Sequence, residues 1–388
     1  MLTLLRNADV YAPEPRGRMD LMLGGGQILA MGPSLPALPG ALGTEVDLAG
    51  ARIIPGLIDA HVHVTGGGGE AGPASRVPRV ALSAMLSGGV TTCVGVLGTD
   101  GTTRSVADLV ATTLGLRAEG MSAYCWTGNY QVPPITLTGS VRSDIVFVDP
   151  IIGLGEIAIS DHRSSQPTHD ELARLAADCH VAGLMSGKAG VLHLHLGDGP
   201  RGVEPILALL RGTELPPRVF HPTHVNRKKA LFDASLELAR LGCYIDVTAF
   251  PVEDGEDAFD AATAIERYWA ADAPAPHLTC SSDGGGCLPT FDAQGNMLGM
   301  DIGAPAALAH TLKQLLDRGH DLARVAPVFT SNVAKLLRLP HKGVLAPGAS
   351  ADIVVLGAQG QIESVVAQGR FVVRGQQVLV HGTFEPKA

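Results

Sequence analysis

His61 and His63 are two imidazoles one residue apart, in the stretch GLIDAHVHV at residues 56–64. Along an extended strand successive side chains point to opposite faces, so these two share a face and could bind one metal ion together. Taken alone, the pair reads equally well as two half-buried strand histidines. The rest of the chain weighs against that plainer reading. Glu156 lies in IIGLGEIAIS, His193 and His195 in VLHLHLGDG, His221 and His224 in VFHPTHVNR, and Asp283 in LTCSSDGGG. Imidazole and carboxylate donors suit Zn²⁺ and similar divalent ions. Four histidines, a carboxylate able to bridge and a further aspartate could hold two metals that share a hydroxide, which is the apparatus of metal-assisted hydrolysis.

Each choice has an alternative. His193 and His195 alternate onto one face, and His195, nearer the strand end, is favoured. His224 is favoured over His221 in the same way. Glu156 sits in an apolar strand, where an unpaired carboxylate is expensive to bury; a metal partner would offset that cost. Asp283, before a Gly-rich turn, could instead cap the next helix.

The elements that must position these groups follow from periodicity. Eight apolar strands are expected near 54–64, 90–96, 123–129, 151–158, 191–196, 218–224, 242–248 and 277–283. Between them lie stretches such as HDELARLAADCHVAGLM and KKALFDASLELARLG, whose apolar residues recur every three or four positions, as in a helix with one buried face. Eight β-then-α units predict an α/β fold, a closed parallel (β/α)8 TIM-type barrel over 54–340, with its site at the C-terminal strand ends. An open doubly wound sheet would carry a Gly-rich nucleotide loop after its first strand. Residues 1–53 and 341–388 have the texture of short strands and turns, and are predicted to pair into one small β-sandwich domain.

Composition narrows the function. Lys and Arg total 29 against 38 Asp and Glu, a formal charge of −9, and no basic run interrupts the chain. A nucleic-acid binder would show a basic patch. The six cysteines are scattered without CxxC spacing and read as reduced thiols. No apolar run near the start is long enough for a signal peptide or a membrane span, so a soluble cytoplasmic protein is expected. GDGPRG at 197–202 matches a dinucleotide fingerprint but lacks the acidic residue about 20 positions on. GGGGEAG at 66–72 has no Lys-Ser/Thr after it and reads as a loop over the site. Cys280, with no dedicated histidine partner, reads as strand packing.

Several stretches together are more specific: GLIDAHVHVTGGGGEAGP, LGTDGTTR, TGNYQVP, ISDHRS, THVNR, SSDGGG and KGVLAPGASADIVVL. On these the chain resembles the amidohydrolase superfamily, and within it the isoaspartyl (β-aspartyl) dipeptidases, over nearly its whole length. The resemblance implies two divalent metal ions, with zinc the expected ion. His61 and His63 would hold the first beside Asp283, and His195 and His224 the second, with Glu156 and a hydroxide as bridges. Asp283 would shuttle the proton from that hydroxide to the leaving amine, and Tyr130 would stabilise the oxyanion. Glu70 would pair with the α-ammonium of a dipeptide substrate, and Arg163 and Arg227 with its carboxylates, with Gly68 and Thr99 as further polar contacts. A homo-oligomer is also implied.

The chain departs from the family at two places. Glu156 stands where the family has a lysine that must be carboxylated, and Lys188 is too far along the chain to replace it. Cys287 stands where the family has a substrate-binding serine, and a thiol is a weaker donor. Another amidohydrolase reaction, such as opening a cyclic amide or deacylating an N-acyl amino acid, would use the same metals. An inactive scaffold would be expected to have lost ligands, and this chain keeps a full set.

Overall fold

The run expected as one strand over 54–64 divides at Gly56. The computed structural model describes residues 2–291 and 297–386. Its first five strands are β1 (Leu2–Tyr11), β2 (Pro15–Gly24), β3 (Gln27–Gly32), β4 (Gly43–Asp47) and β5 (Arg52–Pro55). Then come β6 (Leu57–Val62), β7 (Val90–Gly95), β8 (Ser122–Thr127), β9 (Ile151–Ile159), β10 (Val191–Leu196) and β11 (Phe220–Thr223). After these follow β12 (Ile245–Thr248), β13 (Leu278–Ser281), the hairpin strands β14 (Cys287–Phe291) and β15 (Met297–Ile302), and finally β16 (Ile353–Leu356), β17 (Ile362–Ala367), β18 (Arg370–Arg374) and β19 (Gln377–Val378). Between β5 and β6 the Gly56 amide donates to the Asp352 carbonyl at 2.9 Å. A Cβ at Gly56 would overlap the Thr91 side chain, so only glycine fits there.

Strands β6 to β11 form one parallel sheet in sequence order, and β12 and β13 form a parallel pair. The two sheets meet at both ends. The His63 amide donates to the Gly284 carbonyl at 2.8 Å, and Thr223 Oγ1 donates to Asp246 Oδ2 at 2.7 Å. Residues of β6, β7, β9 and β10 are buried on both faces, the pattern of a parallel sheet covered by its crossover helices. One such helix is His169–Ser186. A reciprocal capping box between Thr168 and Glu171 starts it, Gly187 at φ 71° ends it, and Leu172, Leu175, Ala176, Cys179 and Ala182 form its buried stripe. Each fully buried leucine there contributes about 1.5–3 kcal/mol, and losing the Thr168 cap would cost about 1 kcal/mol.

The register slips once where it matters. Leu192 pairs with Leu154 but Leu194 pairs with Ile157, so Gly155 and Glu156 together oppose His193. Such a bulge re-aims a side chain. Gly155 has to be small there, because its Cβ would lie 2.7 Å from that of His193.

The chain's two ends are joined in a single nine-stranded sheet, ordered β19-β18-β17-β16-β5-β1-β2-β3 with β4 also on β1. Ile53, Ile54 and Pro55 of β5 face Val355, Val354 and Ile353 of β16 in antiparallel register. The sheet has its own core around Leu5, Val10, Leu21, Ile53, Ile353 and Val366. No helix among the described residues is long and apolar enough to cross a membrane.

Candidate metal centre

Side chains from five strands or the turns just after them converge on one buried cluster. His61 Nε2 and His63 Nε2 are 3.3 Å apart. Glu156 Oε1 lies 3.5 Å from the first and 3.6 Å from the second. Asp283 Oδ1 lies 3.4 and 3.1 Å from the same two nitrogens. The other oxygen of Glu156, Oε2, faces a second pair, at 3.2 Å from His195 Nδ1 and 3.5 Å from His224 Nε2. One carboxylate therefore divides its two oxygens between two pairs of imidazoles. Donors about 2.0–2.1 Å from a tetrahedral zinc stand about 3.4 Å from one another, so this spacing fits a metal.

Burial and charge support the same fit. Glu156 is 1% exposed and His61 is fully buried. Burial opposes ionisation of Glu156, but the charge of His61 and hydrogen bonds from His195, His224 and His61 hold its carboxyl well below the usual range. Burial also opposes charge on His61, yet Glu156 and Asp283 raise its imidazole to about 9. Asp283 is held at about 2 despite burial, by a hydrogen bond from His63 and by the neighbouring imidazoles. The cluster thus concentrates anionic oxygen and imidazole in a space that favours a cation.

Two of these groups sit on bent backbone. His224 and Asp283 adopt φ 62° and 52°, the left-handed region, which costs a non-glycine residue on the order of 1–3 kcal/mol. The turns come directly after β11 and β13, and the side chains of both residues stand in the cluster.

Above the cluster lies a polar mouth. Tyr130 Oη is 2.8 Å from His195 Nδ1. Burial and the Glu156 charge push the phenol well above its ordinary value, so it stays protonated. Arg163 Nη2 and Arg227 Nη1 lie 3.3 and 3.1 Å from His195 Nε2. Arg163 Nη1 is 3.5 Å from Glu70 Oε1, and Thr99 Oγ1 donates to that same oxygen at 2.8 Å. Gly68, at φ +72°, has no room for a Cβ against Ser75. Burial, then Glu70 and Asp283, push the half-buried Cys287 thiol up while Arg163 opposes them, so it shares their surroundings.

The same chain matches the amidohydrolase family over residues 52–372. It belongs to that family.

As an amidohydrolase the chain is a hydrolytic enzyme. It is similar to a solved β-aspartyl dipeptidase from Fervidobacterium islandicum AW-1 in complex with a β-Asp-Leu dipeptide: 40% identity, 97% of each chain covered, TM-score 0.92. A second structure of β-aspartyl dipeptidase from that organism is 38% identical, covers 97% of this chain and 98% of its own, and has a TM-score of 0.87. An allantoinase of Streptomyces avermitilis is 25% identical, over 91% of this chain and 85% of its own length.

The structure of this amidohydrolase brings the candidate residues together unequally. His61, His63, Glu156, His195, His224 and Asp283 share the cluster. His193 and His221 are also buried, but turn toward each other with their Nδ1 atoms 2.9 Å apart. Lys188 is remote, its Nζ bonded to the Val148 and Ile151 carbonyls.

Sequence reasoning missed Asp161. Its Oδ1 accepts from the Arg163 amide at 2.7 Å and Nε at 3.0 Å, and its Oδ2 lies 2.8 Å from Arg163 Nη2 and 3.0 Å from His195 Nε2. Burial acts to raise its carboxyl, but these bonds hold it well below the usual range. The available signal was an acid two residues before Arg163 in ISDHRS.

Proposed function

We propose that this amidohydrolase cleaves β-aspartyl (isoaspartyl) dipeptides at a centre of two divalent metal ions. The observation that carries this reading is the mouth, where one carboxylate, Glu70, and two guanidinium groups, Arg163 and Arg227, stand beside the imidazole cluster. A zwitterionic dipeptide with a second carboxylate needs that complement of charges. The likeness to a β-aspartyl dipeptidase holding β-Asp-Leu adds to it.

His61, His63 and Asp283 would hold one ion and His195 and His224 the other, with Glu156 between them. Bound metal would polarise the scissile carbonyl and supply a nucleophile from water at neutral pH. The protein's own groups do the rest. Glu70 binds the α-ammonium, while Arg163 and Arg227 orient the carboxylates. Tyr130, protonated and buried, donates to the carbonyl oxygen as negative charge develops there. Asp283, ionised and close to both His61 and His63, accepts a proton from the attacking water and returns it to the leaving amine. Glu156 supplies at once the carboxylate that a lysine would have to acquire from CO₂. In the same reading, β6 to β13 close as one eight-stranded barrel over 54–340, and the terminal sheet wraps its core as a sandwich.

Opening of a cyclic amide is the second reading, favoured by the weak donor at Cys287 and the likeness to an allantoinase. A panel of β-Asp-Leu, α-Asp-Leu, N-acetylaspartate, hydantoin and allantoin, run with zinc analysis of the same protein, separates the two. Cleavage of β-Asp-Leu far above the rest is expected. Ring opening without β-aspartyl cleavage would overturn the dipeptidase assignment.

A further inference from the structure

Four polar residues beneath the cluster take no part in the chemistry above. His61 Nδ1, the nitrogen turned away from the candidate metal position, lies 2.8 Å from His193 Nε2. His193 Nδ1 lies 2.9 Å from His221 Nδ1 and 3.1 Å from the His221 carbonyl oxygen. His221 Nε2 lies 3.0 Å from Thr279 Oγ1, and Thr279 Oγ1 donates to Asp246 Oδ1 at 2.7 Å. The path crosses β6, β10, β11, β13 and β12, and all its members are fully buried.

The donor direction of each step follows from counting protons. Asp246 Oδ2 accepts from Thr223 and Ser281 as its Oδ1 accepts from Thr279. Thr279 has one hydroxyl proton, so once it is given to Asp246 its oxygen can only accept from His221 Nε2–H. A neutral His221 then has a bare Nδ1. His193 Nδ1 faces that lone pair and a carbonyl oxygen, both acceptors, so it must carry the proton. That leaves His193 Nε2 bare, and His61 must donate its Nδ1–H to it. The Trp126 ring stacks on His193 with centroids 5.4 Å apart and limits its freedom to turn.

We infer that His193, His221 and Thr279 form a one-way hydrogen-bond relay, anchored on Asp246, that holds a proton on His61 Nδ1 and so makes Nε2 the nitrogen offered to metal. These are positioning residues, and the inference rests on His61 being a ligand. Their hydrogen-bond partners come from strands far apart in sequence, so the relay also ties the first strand's imidazole to β11, β12 and β13.

Nitrogen-15 NMR of the histidine rings tests the direction without any substrate. In both zinc-free and zinc-loaded protein, His193 should be the Nδ1–H tautomer and His221 the Nε2–H tautomer. The opposite tautomer at either would overturn the relay. Two substitutions separate it from plain packing. Thr279→Val keeps the shape and removes the hydroxyl, whereas Thr279→Ser keeps the hydroxyl and removes the methyl. Zinc affinity, measured by competition with a chromophoric chelator, should fall about tenfold in Thr279→Val, the lower end of what removing an outer partner of a metal ligand costs. It should stay near the parent in Thr279→Ser. Equal affinities in the two variants, or a greater loss in the serine variant, would overturn the proposal. These readouts contain no dipeptide, so a failed substrate assignment would leave them unaffected.

Discussion

Glu70 Oε1 lies 3.5 Å from Arg163 Nη1, so the two residues proposed to hold opposite charges of the substrate hold each other in its absence. The pair is about a quarter exposed. A zwitterion can replace each partner with one of its own charges, whereas a neutral amide would leave Glu70 with Thr99 alone and Arg163 with Asp161 alone.

Glu70→Gln is therefore expected to raise KM for β-Asp-Leu by about 10- to 100-fold, the scale of one charge-assisted hydrogen bond. An N-acetylated β-aspartyl peptide, lacking the ammonium, should be affected far less. Steady-state kinetics on the two substrates checks this; equal losses would mean that Glu70 acts only by holding Arg163.

Asp283→Asn should keep its metal and lose turnover by about 10²- to 10⁴-fold, the range of a lost general acid–base group. Elemental analysis and kcat measured on the same sample decide it. Turnover near the parent would remove Asp283 from proton transfer.

Assembly of the centre should be independent of bicarbonate. Glu156 is already anionic, held well below the usual carboxylate range by His61 and its hydrogen-bonded imidazoles. Zinc added to stripped protein in CO₂-depleted buffer should restore activity fully. Glu156→Gln should bind the paired metals more weakly, because an amide cannot offset their charge. A strict bicarbonate requirement would point to a carboxylated lysine instead.

The metal-free protein should lose stability in mild acid. Burial holds the His221 imidazole down at about 4, against about 6.5 in an unfolded chain. Between those values the unfolded chain binds a proton that the native state does not. The His221 contribution is therefore complete above pH about 6.5, falls as pH drops, and levels off below about 4, a loss on the order of 3 kcal/mol, which Asp59, raised by burial to about 7, offsets in part. His224, held at about 3 chiefly by burial, adds with the same sign. Urea midpoints from pH about 6.5 to about 4.5 test this, and a flat series would contradict it.

Much of this arrangement was legible in local pattern. Alternation placed His61 on a strand, with His63 one residue past its observed end, and His195 near the end of another, and the apolar runs located the parallel strands to within a few residues. What stayed hidden is non-local or backbone-borne. The break at Gly56 depends on Thr91, a residue of the neighbouring strand. The bulge that turns Glu156 depends on register with β10. Asp161 resembles any loop acid until His195 is beside it. The contacts of His193 and His221 span 132 and 58 residues, and no period in the sequence carries such pairings.

One residue, Gly56, separates β5, stitched to β16 from the far end of the chain, from β6, which carries His61. The strand that carries the candidate ligand His61 is thus moored at its root by residues added some three hundred positions later. A ribosome that has finished every candidate ligand has still not made that mooring. Trimming the chain before Ile353 should accordingly be felt as a loose grip on zinc rather than as the tidy loss of a peripheral sheet.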